Sequence, residues 1–212
     1  MAGERSQRLF GRVRRILEQK GISIQDIQNA EIYDELAEAQ KQIFARVGFE
    51  RKYNITLDNS EDEYELVVSS VNDRVCVKGI KIFITPSTWT YTLEYVPNTE
   101  WNETILSDST ASNPTHATLF DNTLHLYPTP ATDGEILTLW AILCLPETDI
   151  SATIDPEIGE EWNKALEYYA LSSLLFDERE RNDYFLKFRE QIGEIKLTKT
   201  KKGYPIQKAR TS

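Results

Sequence analysis

The chain has 212 residues, 40% of them hydrophobic and 27% charged, enough for one full core or two modest domains. That apolar content excludes a chain left disordered for want of surface to bury. No run comes near the ~18 apolar residues of a membrane helix, and MAGERSQRLF lacks the apolar centre of a signal peptide, so no membrane or secreted protein is expected. Cys76 and Cys144 are too few for a disulfide scaffold and lack CxxC spacing. His116 and His125 are the only histidines, which disfavours a multi-histidine metal centre.

The net charge of −10 is unevenly spread. Residues 1–20 carry Arg5, Arg8, Arg12, Arg14, Arg15 and Lys20 against Glu4 and Glu18, a net of +4. Residues 196–212 carry Lys196, Lys199, Lys201, Lys202, Lys208 and Arg210 with no acid, a net of +6, so the body between holds −20. Basic ends of this kind attract acidic partners, while an acidic body repels nucleic acid. Ordinary DNA binding, which draws most of its affinity from phosphates, is not expected.

Leu9, Phe10, Val13, Ile16 and Leu17 recur at helical spacing, with arginines on the other face, and predict a helix over about 3–19 stopped by Gly21. Ile32, Leu36, Ala39, Ile43 and Val47 predict a second helix over 29–47, with Asn29 as N-cap and Gly48 in the left-handed position after its end. Each helix has one apolar side and needs a packing partner. From Phe49 the pattern turns to β-branched and aromatic segments, at 53–57, 64–70, 75–84, 89–96, 118–120, 123–127 and 135–143. Turn residues separate them, and Asp121-Asn122 reads as a tight hairpin. The block is an antiparallel β-region of about six strands, with an exposed polar loop at 108–115.

Helical spacing returns after Asp155-Pro156, with Asp155 as cap and Glu157, Glu160 and Glu161 at the positive end of the helix dipole. Trp162, Ala165, Leu166, Tyr169, Ser173 and Phe176 line one side of this helix. A polar break at 177–182 precedes a last helix marked by Phe185, Phe188, Ile192 and Ile195. The fold class is therefore α+β: a helical bundle of two N-terminal and two C-terminal helices, an inserted antiparallel β-region, and an extended basic C-terminal tail. The boundaries fall at 1–48, 49–150, 151–195 and 196–212. Trp162, Leu166, Tyr169, Phe185 and Phe188 are the candidate helix-packing core.

The search for chemistry yields no catalytic constellation. G-x-S-x-G, a P-loop and G-x-G-x-x-G are all missing, and neither cysteine has a base nearby in sequence. His125 reads as a structural strand histidine and His116 as a surface residue in a polar loop. The cluster Asp58, Glu61, Asp62, Glu63 and Glu65 lacks the glycine and closing glutamate of an EF-hand and reads as a solvated hairpin tip. Asn54-Ile55-Thr56 and Asn102-Glu103-Thr104 match the glycosylation pattern but carry no weight without a secretion signal. No catalytic, cofactor-binding or metal-ligating residue is assigned, and no cofactor.

The run LHLYPTPATDGEILTLWAILCLPETDI, residues 124–150, resembles the tailed-bacteriophage head-to-tail adaptor (connector) family. A strand ends in Pro128-x-Pro130, a second strand follows, then a short connection containing Pro146. The helix IGEEWNKALEYYALSSLL is similar to the family's, at Trp162, Ala165, Leu166, Tyr169 and Ala170. The β-region over 53–120 is longer than the family pattern. What the resemblance implies is a structural virion protein without enzymatic activity, at the head–tail interface and assembled in the host cytoplasm. Its copies would form a homo-oligomeric, dodecameric ring below the portal protein that docks tail or nozzle proteins. Genomic DNA would pass its lumen without specific binding, and no membrane is involved. The resemblance assigns the C-terminal segment to portal contact: Lys196, Lys199, Lys201, Lys202, Tyr204, Pro205, Ile206, Lys208 and Arg210. On the residues alone, a soluble interaction module or, less readily, a small cytosolic enzyme stays open.

Overall fold

An arginine-rich helix with one apolar stripe holds together only if that stripe is covered, and α1, Glu4–Gln19, buries Leu9, Val13 and Leu17 completely. Gly21, at φ +79°, ends it: Gly21 N–H donates to Glu18 O and Ile22 N–H to Leu17 O, both at 3.0 Å, with Ile22 and Leu17 packed below. Helix α2, Asn29–Val47, buries Ile32, Leu36, Ala39 and Ile43, and Gly48 follows it at φ +71°. The cap of α2 differs from expectation. Asn29 Oδ1 accepts from the buried Arg14 guanidinium at 2.9 Å, and Glu31 reaches back to the Gln28 N–H at 3.1 Å instead.

The computed structural model describes residues 3–66, 77–89, 92–104, 112–120, 122–146 and 148–201, with backbone only at 102–104 and 197–201. Residues 67–70 and 75–76 of two expected strands, residues 108–111 of the expected loop, Cys76 and Asp121 lie outside the described residues. The chain divides into two compact units, Met1–Val47 with Thr148–Ser212, and Gly48–Glu147.

The first unit is the helical bundle. A 3-10 turn, Glu160–Trp162, leads into α4, Asn163–Leu174, and α5 spans Glu178–Lys201 (the short α3, Asn98–Thr104, belongs to the other unit). The 3-10 turn and α4 form the centre: Trp162 from the turn and Ala165, Leu166, Ala170 and Leu171 from α4 are fully buried, and the alanines let neighbours approach closely. Arg5 meets Asn163 and Arg12 meets Glu167, so α1 and α4 run in the same direction. Asp177 caps α5 by accepting from the Glu180 N–H at 2.9 Å, which starts that helix inside the expected polar break. It also continues to Lys201, past the expected start of the tail at Lys196. Phe176 does not line α4, since it follows the helix end and is 69% exposed.

The helix expected directly after Asp155-Pro156 begins later because Asp155 serves another helix. Its Oδ1 accepts from the Ser6 N–H at 2.7 Å, capping α1 from 149 positions away. The Arg5 guanidinium clamps the same connection. Its Nε and Nη2 donate to Asn163 Oδ1 at 2.8 and 2.6 Å, Nη2 also to Gly159 O at 2.7 Å, and Nη1 to the carbonyls of Pro156 and Ile158. Gly3 completes the junction at φ +81°, where a Cβ would stand 2.3 Å from Ala152 O. Glu157 likewise holds Thr148, through its N–H and hydroxyl, rather than a helix end.

Among the described residues the second unit carries seven strands in two sheets. The strands β1, Phe49–Thr56, β3, Val77–Ile84, and β7, Ile136–Leu143, form an antiparallel sheet with β7 central. The second sheet has the order β2-β6-β5-β4, from β2, Glu63–Glu65, β6, Thr123–Tyr127, β5, His116–Phe120, and β4, Glu94–Tyr95. Alternation places Leu124, Leu126, Leu137, Leu139, Ala141 and Leu143 inward. Phe120 pairs with Thr123 across the tight hairpin, where Asn122 takes φ +63°.

Three expectations fail in this unit. The pairing of β4 with β5 is parallel, because the chain between them first passes through α3, Asn98–Thr104. That short helix has one large apolar residue, Trp101, and hence no periodic signal. The strand expected over 89–96 shrinks to Glu94–Tyr95, since Trp89 turns inward and donates its indole N–H to Glu135 at 2.7 Å. The described end of the expected loop, residues 112–115, lies along β6: Ser112 and Thr115 donate to Thr129 and Tyr127 carbonyls, and Pro114 is buried.

Asp155→Ala leaves α1 without its side-chain cap and should lower the unfolding free energy by about 1 kcal/mol, with Asp155→Asn retaining most of it. Urea unfolding followed by circular dichroism measures this. Arg5→Lys keeps the charge but cannot reproduce the fork, and should cost about 1–2 kcal/mol in the same assay.

Candidate assembly surface

The histidines and the acidic cluster are used locally. His116 opens β5, half-buried with Nδ1 2.8 Å from Thr115 Oγ1 and Nε2 3.9 Å from Glu94, and is not the loop residue expected. His125 lies in β6 with Nδ1 3.4 Å from Glu63. Asp58 Oδ1 accepts from the Ser60 N–H and hydroxyl at 2.8 and 2.6 Å, and these bonds hold its carboxyl below the usual carboxylate range. Tyr64 bridges this turn through its hydroxyl, donating to Glu61 O at 2.9 Å and accepting from the Asp58 N–H at 3.0 Å. Among the described residues no helix is long and apolar enough to cross a membrane.

The residues assigned to helix packing separate into two groups. Trp162, Leu166 and Phe188 are fully buried. Tyr169 is half-buried, its ring edge-on to Phe188 with centroids 5.1 Å apart, and Phe185 stands at the rim, 36% exposed. Three residues apart on α5, Phe185 and Phe188 lie only about 60° apart around the helix and share one face, with Phe188 at its centre and Phe185 toward its edge. Arg46 covers both rings, its Cζ 5.9 and 5.3 Å from the Phe185 and Phe188 centroids. Phe176, Phe185 and Leu186 therefore leave apolar surface on the α4–α5 hairpin. Beside it is an open groove of about 570 Å³ lined by Tyr169, Ser172, Ser173, Phe176, Arg181 and Phe185. The signal was present in the sequence: Phe185-Leu186 are adjacent, so one of them had to face out.

Of the residues assigned to the basic tail, Lys196 is tied into the bundle. Its Nζ donates to Arg46 O at 2.8 Å, satisfying a free carbonyl at the negative end of α2. Lys199 and Lys201 lie on the α5 backbone. Lys202, Tyr204, Pro205, Ile206, Lys208 and Arg210 lie outside the described residues.

Tyr169 reports the electrostatics of this side of the bundle. Burial raises its phenol above the ordinary value, and the Glu38 and Glu35 carboxylates on α2 raise it further, against Arg46. Its preference for the neutral form stabilises the fold fully below the ordinary phenol range and is lost as pH rises through the elevated value. Glu38→Gln should therefore move the Tyr169 phenolate absorbance to lower pH, with Tyr169→Phe identifying its share of the titration.

A search of curated proteins finds no match to this chain. The family model described as SU10 adaptor protein matches residues 7–209, spanning both helix pairs and the whole β-insert. That coverage shows what the chain is: it belongs to the SU10 adaptor protein family, a family of phage head-to-tail adaptors.

Proposed function

We propose that this protein is a structural component of the virion that assembles as a dodecameric ring between portal and tail, extends the DNA channel, and makes or breaks no bond. The observation that carries the reading is the family match over 7–209, which includes both units. The exposed Phe176 and Phe185, which line one groove, support it together with the exposed Leu186, because apolar side chains left in solvent favour burial against another protein. The charge distribution fits as well. An acidic body offers passing DNA no phosphate contacts, while the basic C-terminal segment, with Tyr204, Pro205 and Ile206 among its lysines, suits an acidic portal surface. Binding to the portal, docking of tail or nozzle proteins and assembly in the host cytoplasm complete the proposed role.

Removal of residues 202–212 tests it while leaving all of α5 in place. Native mass spectrometry of the full chain mixed with portal rings should show a second ring seated on the first, and the truncated chain should keep its circular dichroism and unfolding curve yet fail to bind. Normal binding by the truncated chain would overturn the tail assignment. Failure of the full chain to bind portal rings would overturn the adaptor reading.

A further inference from the structure

Besides the Arg14–Asn29 hydrogen bond, helices α1 and α2 meet at a stacked pair, Phe10 on Tyr33, with ring centroids 4.9 Å apart and planes 12° from parallel. That pair fixes which side of each helix faces the other. Counting about 100° per residue from Phe10, the positions two before, two after and five after it fall roughly 140–200° away, on the flank opposite α2. Those positions are Arg8, Arg12 and Arg15. The same offsets from Tyr33 give Glu31, Glu35 and Glu38, on the flank of α2 opposite α1. The helix pair thus has a basic outer edge and an acidic outer edge, each with three charges at matching axial spacing.

Each edge is only partly used inside the molecule, and the Glu38 and Glu35 carboxylates also act on the Tyr169 phenol of α4. Arg8 and Arg12 touch Glu160 and Glu167 at 3.5 and 2.9 Å but keep side chains 60% and 56% exposed. Glu31 and Glu38 make hydrogen bonds to the Gln28 N–H and Gln42 Nε2. Arg15, exposed, and Glu35, half-exposed, make no hydrogen bond or ion pair with any described residue. The cations nearest the acidic edge on α2 are Lys41, which pairs with Asp149 at 3.0 Å, and Arg46, which lies over the phenylalanine rings.

We propose that the arginine edge of α1 in one copy docks on the carboxylate edge of α2 in the next copy of this chain. The occupant is a second copy because the two edges are complementary in sign and spacing, and because they lie on opposite sides of one helix pair. A surface that meets a different surface on its neighbour makes a heterologous contact, which repeats into a ring when its rotation closes. This deepens the ring reading proposed above and rests on it for closure. Exposed ion pairs contribute little each, so the edges set order and register while apolar area supplies most of the affinity.

The test uses the full chain and two variants, Arg15→Glu and Glu35→Arg, in sedimentation velocity at low salt over a concentration series. Wild type should associate, and raising salt should weaken that association. Each single variant sets like charges opposite one another and should weaken it at least about tenfold. An equimolar mixture of the two variants should recover it, since alternating copies restore opposite charges at every contact. Unchanged association in the single variants overturns the proposal, as does a mixture that fails to recover or a wild type that stays monomeric throughout. If Arg15→Glu sediments as wild type but loses retention on DNA, the arginine edge belongs to nucleic acid and the proposal falls. Portal rings separate this inference from the adaptor reading. Both variants seating on portal rings as well as wild type removes the edge contact alone, whereas charge-dependent self-association without portal binding removes the adaptor reading alone.

Discussion

The bundle depends on a junction between parts of the chain separated by the whole β-insert. Helices α1 and α2 precede residues 48–147 and helices α4 and α5 follow them, yet the four share one core. Lengthening a connection is entropically cheap, about 0.6 kcal/mol for each doubling, so a long insertion is tolerable provided its two ends are fixed in place. Asp155 and Arg5 fix them at one end of the bundle, the first by capping α1 and the second by gathering the carbonyls of Pro156, Ile158 and Gly159. Gln40 fixes them along α2, its side chain donating to Thr148 O at 3.1 Å and accepting from the Glu157 N–H at 2.8 Å. These groups satisfy an irregular backbone segment that no helix or sheet could have paired.

What the sequence made legible was whatever depends on short-range periodicity. The stripes of α1 and α2, the glycines that end them and the inward alternation of β6 and β7 each follow from neighbours within a few positions. What escaped depends on partners far along the chain. Asp155-Pro156 carries every local mark of a helix start, yet its carboxylate goes to Ser6, because a cap serves whichever free N–H the tertiary fold brings within reach. Helix α3 was invisible because Asn98–Thr104 offers no apolar stripe. Lys196 was read as free basic tail when it closes α2, a role that α5 alone could not announce.

The candidate surface was legible in the same uneven way. Trp162, Leu166 and Phe188 could be assigned to the core from spacing, whereas Phe185 could not be distinguished from them until Arg46 and Phe188 were seen to hold it at the rim. The charged edges of α1 and α2 are each readable from the sequence as solvated helix faces. Only the stacking of Phe10 on Tyr33 shows that they face away from each other, which turns two ordinary polar faces into the two ends of one dipolar strip.

That dipolar arrangement bears on a difficulty any ring of this protein must meet. Each copy carries a net charge of −10, and gathering many copies multiplies their mutual repulsion. At physiological ionic strength the Debye length is about 8 Å, so repulsion between distant charges is largely screened while groups in contact still feel one another. Stability at the seam is then decided by the few charges that meet there, not by the total. A chain with acid spread evenly over its surface would place carboxylate against carboxylate at every seam. Concentrating arginines on the α1 edge and carboxylates on the α2 edge lets a strongly acidic protein present opposite signs where copies would touch.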